Sequence, residues 1–425
     1  MQLTNEHDSI GILKNISSLS LRVNFLWSLL SLLIYNGCQF GLIMLLTRLG
    51  KPHLVGTFVL AMAVCAPFQI ISSQLTGILV TDVMFEFSFK NYLMLALGGG
   101  LLLILGAALT TKFLNYSAEI MMIVLVIAVS KAIENLSYIF LGLMQMYERM
   151  DLFAVSLTLK GTLSLAVFWL LFHSSQNLLL SLLGMTAVGL LILISLDAPW
   201  GCKVGRQALL KHKGVSFKDL VKITQKTAPL SVSALLISLN TTVPRFFLEY
   251  YSGLKTLGYF GPIAYVLTFG DMAAAALGRT MAPRLARYWV LDRLSFRSSI
   301  KKLLALLAAV SLCASLVNLC FGAKILALLF RPDYAPFASV LFWLTVAMGF
   351  GATSQFFAFV LTAMRRLNAL AVLSAVALLI TTSLCYLLTP PFGLWGTAWA
   401  ICLGLLFRFV GSYLIYLKIV FQRAP

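Results

Sequence analysis

Charge is what this sequence has least of. Only 11% of its 425 residues are Asp, Glu, Lys or Arg, against about 25% in soluble domains, too few to cover the surface of a water-soluble fold of this length. Acid is the scarcer sign, with 14 Asp and Glu against 32 Lys and Arg. Histidine is rarer still: His7, His53, His173 and His212 lie in or beside predicted loops without ligand spacing, so no metal is expected. The seven cysteines form no C-x-x-C pair, and all but Cys202 fall inside apolar runs, which reads as buried thiols rather than disulfides or a zinc site. A P-loop and the D-x-D, G-x-S-x-G and H-E-x-x-H motifs are also missing. Neither a nucleotide-driven motor nor a cofactor is expected on that basis.

The formal net charge of +18 invites a nucleic-acid reading, but no basic tail or basic helix face is present. Lys and Arg sit instead in short connections between apolar runs, which argues against nucleic acid as a partner. Those runs are what the chain does have. Hydrophobic residues make up 60% of it and cluster into stretches longer than the roughly 18 residues that cross a hydrocarbon core of about 30 Å. The fold class is therefore an all-α polytopic membrane protein of about twelve helices. Spans are predicted near 23–46, 53–80, 91–110, 118–141, 152–173, 177–196, 229–251, 258–281, 303–321, 336–363, 369–388 and 392–417. The run after Arg22 is too long for a signal-peptide core and reads as the first span.

Lys and Arg counted in the connections divide 22 to one side and 6 to the other. The positive-inside rule then puts residues 1–22 and 418–425 in the cytoplasm, with the basic loops resting on anionic head groups. The longest connection, 197–228, is a basic linker between two six-helix bundles, 23–196 and 229–417. An internal echo supports that division. TRLGKPHLVGTF (47–58) and EYYSGLKTLGYF (249–260) align at an offset of 202, placing Gly56 on Gly258 and Phe58 on Phe260. A six-span unit repeated in one orientation is a recurrent transporter design, with its site between the repeats.

Ionisable residues inside a membrane cost at least about 2.5–3.5 kcal/mol each on insertion scales and are functional by default. The spans hold four cations, Lys131, Lys160, Arg245 and Arg408, and three acids, Glu134, Asp271 and, nearer the outer edge, Glu249. Lys131, Glu134 and Tyr138 share one helix face, and Ser156, Lys160 and Ser164 another. Tyr35 and Gln39 continue a polar stripe in the first span; Thr242, Arg245 and Glu249 continue one in the seventh, with Asn240 close by. Such stripes predict an aqueous cavity with more cations than acids, suited to an anionic cargo such as a phosphate. Blander readings compete. Lys131 and Glu134 are spaced for a local ion pair, Arg408 is near enough to the inner surface to snorkel, and Lys160 and Glu249 lie near span ends. Arg245 follows Pro244, whose missing N–H frees the Asn240 carbonyl, and polar groups beside a broken membrane helix commonly line sites.

The stretches LTRLGKPHLVGTF, KAIENLSYIFLGLMQMYERM (131–150), SLTLKGTLSL (156–165), PRFFLEYYSGLKTLGYF (244–260) and LLFRPDYAPFASVLFWL (328–344) carry a resemblance. With them the chain resembles the polysaccharide transporters, or O-antigen flippases, of the multidrug/oligosaccharidyl-lipid/polysaccharide (MOP) exporter superfamily. That resemblance implies two six-helix bundles in a V and a bacterial inner membrane. It implies as cargo an undecaprenyl-diphosphate-linked oligosaccharide, an O-antigen or exopolysaccharide repeat unit, moved to the outer leaflet. Lys131, Lys160, Arg245 and Arg408 would be its cavity cations, Glu134, Asp271 and Glu249 the acids, with H+ or Na+ as coupling ion and glycan polymerases as protein partners. Drug exporters share the architecture and are the alternative; a membrane-embedded glycosyl- or acyltransferase is the alternative from another class.

The charge asymmetry makes a direct prediction. In a cysteine-free background, a cysteine at Lys213 is expected to resist an impermeant maleimide in intact cells and to react once the inner membrane is opened. Labelling from outside intact cells rejects the orientation.

Overall fold

The computed structural model describes residues 20–82, 86–206, 214–364 and 367–422. The N-terminal segment before residue 20, Lys211 and Lys213 of the linker, Arg365, Arg366 and Arg423 lie outside the described residues. Nearly all of those described are helical, with no strand among them. Helices α1 (Leu21–Leu49), α2 (Pro52–Thr81), α3 (Phe89–Phe113), α4 (Ala118–Met146), α5 (Met150–Ser175) and α6 (Leu178–Ile192) follow in order. A single π turn, Leu193–Asp197, joins α6 to the short α7 (Ala198–Val204). Beyond come α8 (Phe217–Ala264), α9 (Val266–Leu291), α10 (Arg293–Leu329), a 3-10 turn (Pro332–Phe337), α11 (Ala338–Ala363) and α12 (Leu367–Gln422).

Ten stretches among the described residues are long and apolar enough to cross a membrane. Two of them, Leu230–Ala275 and Ala369–Ile419, run 46 and 51 residues. Straight helices of that length would reach about 70 Å, over twice the hydrocarbon thickness of about 30 Å. Each is broken at a glycine with positive φ: Gly253 at φ 78°, ψ 171° and Gly393 at φ 54°, ψ −123°. Around Gly393 the chain doubles back. The Thr389 and Thr397 hydroxyls lie 3.2 Å apart, and Cβ atoms added at Gly404 and Gly411 would meet Thr381 and Leu373. Around Gly253, residues 240–245 likewise come to share a cavity wall with residues 260–271. Each long stretch thus makes two passes, which brings ten to the twelve read from hydropathy.

The other connections are short because their ends are capped. Ser88, Ser117, Asn177 and Asp292 open α3, α4, α6 and α10 by accepting backbone N–H groups with their side chains. The Ser295 hydroxyl and amide hold the Asp292 carboxyl below the usual aspartate range. Asn115, Glu148 and Gln176, all at positive φ, turn the chain out of α3, α4 and α5. Large apolar side chains point outward along the spans, among them Leu109, Phe113, Leu319 and Leu379. Water would penalise that surface and lipid tails do not.

The chain packs as two compact units. Residues through Leu45 and Ala61–Leu235 form the first; Leu46–Leu60 and Leu236 onward form the second. A core in the first gathers Leu75, Phe87, Tyr92, Ile139, Phe140 and Ile223. One in the second gathers Trp289, Phe296, Phe356, Phe357, Val360 and Tyr416. The division falls inside α8, and the α1–α2 turn packs with the second unit. There the two glycines of the sequence echo touch: the backbone nitrogen of each lies close to where the other's Cβ would stand.

Gly253 lies in a region of φ and ψ open essentially to glycine alone, so Gly253→Ala should lower stability by about 1–3 kcal/mol. Gly98, mid-helix in α3 with nothing near its missing Cβ, should gain about 0.5–1 kcal/mol on changing to Ala. Unfolding curves of the two variants in the same detergent check the contrast, and equal effects would contradict the assigned turn.

Candidate functional site

In the first unit Lys131 and Lys160 each meet a carboxylate. Lys131 and Glu134, one turn apart on α4, pair at 2.7 Å. The Tyr35 hydroxyl on α1 donates to the other Glu134 oxygen at 2.8 Å, with Gln39 one turn further along the same helix. Lys160 on α5 pairs at 3.0 Å with Asp197, which is wholly buried. Ser137 from α4 and Ser156 from α5 each donate a hydroxyl to one Asp197 oxygen, and Lys160 also donates to Ser137. Asp197 closes the π turn, whose extra residue rotates its side chain out of the regular helical phase toward α4 and α5. A buried charge persists only when paired and hydrogen-bonded, and this knot meets both conditions.

Sequence reasoning missed Asp197. At the end of an apolar run and just before Pro199, it reads as the first residue of a loop. The available signal was indirect: the stacked Ser156, Lys160 and Ser164 placed a cation in an apolar helix with no acid near it in sequence.

The second unit is arranged differently. Arg245 on α8, Asp271 on α9 and Arg408 on the second arm of α12 line one cavity of about 420 Å³, within the usual ligand-pocket range of about 300–1,000 Å³. Asn240, Thr241, Gln355 and Thr381 share its wall. Asn240 is held by donating to the Ser374 carbonyl and accepting from the Thr381 hydroxyl, both at 3.3 Å. None of the ion pairs among the described residues involves Arg245, Arg408 or Asp271. Two guanidiniums therefore share a water-accessible space with one carboxylate. Arg408 faces this cavity instead of reaching out to head groups. Thr242 is buried on another face of α8, and Glu249, one turn beyond Arg245, is not among the lining residues. Among the described residues no cluster of three or more His, Cys, Asp or Glu is placed to hold a metal.

No protein-family model matches the sequence. The capsular polysaccharide biosynthesis protein CapF of Staphylococcus aureus is 25% identical over 399 residues, covering 93% of this chain and 99% of CapF. An inward-facing multidrug resistance MATE transporter of the MOP superfamily superposes with a TM-score of 0.73 at 12% identity, over 92% of this chain and 96% of its own. The lipid II flippase MurJ, in an inward closed conformation, superposes with a TM-score of 0.69 at 13% identity, over 93% and 87%. The fold is the one seen in that MATE transporter and in MurJ, and the chain is a multi-pass helical membrane protein. The relative in capsular polysaccharide biosynthesis agrees with the resemblance to a polysaccharide family read from the sequence.

Removing one member of the Lys160–Asp197 pair strands the other. Lys160→Ala or Asp197→Ala should each cost about 3–5 kcal/mol, while a double change to apolar residues of similar volume recovers most of the loss. A double-mutant cycle on unfolding free energy measures the coupling; additive losses would mean the two are not a pair.

Proposed function

We propose that the protein is a flippase that carries an undecaprenyl-diphosphate-linked oligosaccharide from the cytoplasmic to the outer leaflet by alternating access. The observation that carries this reading is the pair of guanidiniums, Arg245 and Arg408, facing a single carboxylate in the second unit's cavity. A diphosphate presents two charged groups with several acceptor oxygens, and the planar donor fork of arginine matches each of them. Asp271 holds the place of the cargo's charge while the cavity is empty. Lys131 and Lys160 join the binding set only when Glu134 and Asp197 give them up, and Glu134, Asp271 or Glu249 would carry the coupling H+ or Na+. The similarity to a capsular polysaccharide biosynthesis protein supports a lipid-linked glycan as cargo.

The drug-exporter alternative fits less well, because a cavity with surplus positive charge repels cationic drugs. The enzyme alternative fits less well, because the sequence carries none of the motifs that pair a nucleophile with its base. The protein would lie in the bacterial inner membrane with both termini and the basic loops in the cytoplasm, and a glycan polymerase on the outer side would take the product.

Reconstituted in liposomes, the protein is expected to redistribute a lipid-linked glycan between leaflets without changing its mass. A longer, shorter or acylated product would make it an enzyme. Arg245→Ala should abolish transport at normal abundance, and Arg245→Lys should restore part of it, since charge survives without the fork. Wild-type transport by Arg245→Ala and Arg408→Ala together would overturn the cationic-cavity reading.

A further inference from the structure

The α1–α2 turn is tied into the second unit by two arginines that cap each other's helix. Arg48, in the last turn of α1, donates through Nε to the Leu329 carbonyl at 3.1 Å and through Nη2 to the Leu328 carbonyl. Arg331, just beyond the end of α10, donates back to the Gly50 carbonyl at 3.2 Å. Leu328 and Leu329 end α10 and Gly50 follows α1, where carbonyls lack helical donors and the helix dipole is negative. All three bonds are charge-assisted.

Close by, Gly56 of α2 crosses Gly258 of α8 at backbone contact. A Cβ on Gly56 would stand 1.9 Å from the Leu254 carbonyl oxygen, and one on Gly258 1.8 Å from that of Pro52. Each glycine meets the carbonyl four residues before the other, so the contact is symmetric about the sequence echo. The Tyr334 hydroxyl donates to the Gly258 carbonyl at 3.2 Å, and Tyr259 packs edge-on against Tyr334. Two residues past Gly258, Phe260 lines the cavity that holds Arg245 and Arg408.

We propose that residues 46–60 are a releasable strap, clasped by Arg48 and Arg331, whose detachment opens the second unit's cavity toward the side away from the basic loops. The chemistry suits repeated opening. At the crossing glycines no side chains interlock, so the surfaces seal closely yet part without repacking. The clasp bonds themselves go to neutral carbonyls, which water can hydrate after release, and Arg331 keeps its exposed ion pair with Asp333, so neither half of the clasp leaves a stranded charge. This inference rests on the transport reading, because a strap needs to open only if the cavity is served from both sides.

The test uses the full chain in intact cells, with all native cysteines replaced and one cysteine introduced at Thr241, a cavity-lining residue. An impermeant methanethiosulfonate is added from outside. Combining Arg48→Ala with Arg331→Ala should raise the labelling rate about tenfold by shifting the population toward the open state, with no rise for a cysteine at Lys213. Arg48→Lys with Arg331→Lys should fall between, and Gly258→Ala, which wedges the crossing, should act like the alanine pair. Should the wedge variant fail to fold, the arginine pairs still decide the matter. An unchanged rate in the alanine pair overturns the strap. Because labelling needs no substrate, a responsive strap in a protein that moves no glycan would refute the flippase reading alone.

Discussion

A charge inside a bilayer has to be answered by another charge or by water, and the two units meet that demand in different ways. In the first, two ammoniums and two carboxylates are brought within 3.0 Å of each other and wrapped in hydroxyls. In the second, the charges are left facing a cavity. The first arrangement costs little to keep closed and offers little to a ligand. The second is stable only while the cavity holds water or an anion, which is what a binding site requires. The contrast between neutral knot and cationic cavity follows from where acids were placed, not from the number of cations, since each unit carries two.

Much of this was legible in the sequence because hydropathy and helical period are local properties. The spans follow from run length, and the two passes on either side of Gly253 and of Gly393 were already separate spans in that reading. Lys131 and Glu134 stand three residues apart, so their pairing could be written down without a structure. Pro244 beside Arg245 marked the cavity wall for the same local reason. The partners that escaped notice are those separated in sequence. Asp197 is 37 residues from Lys160 and reaches it through a π turn, which no periodicity anticipates. Arg408 could be read as snorkelling because its distance from the surface is a one-dimensional fact; that it turns toward Arg245 and Asp271 is a three-dimensional one. The echo of Gly56 and Gly258 was visible as a pattern, but its physical reason is a backbone crossing too close for any Cβ.

That crossing also accounts for how the chain divides. A helical hairpin would ordinarily pack with its own bundle, yet residues 46–60 pack with the second unit. Two glycines allow the approach, and two arginines supply the donors that the helix ends lack. Short connections make such economy necessary: with few loop residues available, the ends of helices have to satisfy one another.

The Lys160–Asp197 pair bears on how the protein is made. Ribosomes deliver Lys160 to the membrane before Asp197 has been synthesised, so α5 arrives at the insertion machinery with an ammonium and no counter-charge. Leaving it alone in lipid would cost about 2.5–3.5 kcal/mol, a burden removed only when the π turn after α6 emerges. The two helices therefore have reason to enter the bilayer as one hairpin, with α5 retained at the translocon until its acid follows. A pair that looks like simple mutual neutralisation in the finished fold is, during biogenesis, an instruction about the order in which helices leave for the lipid.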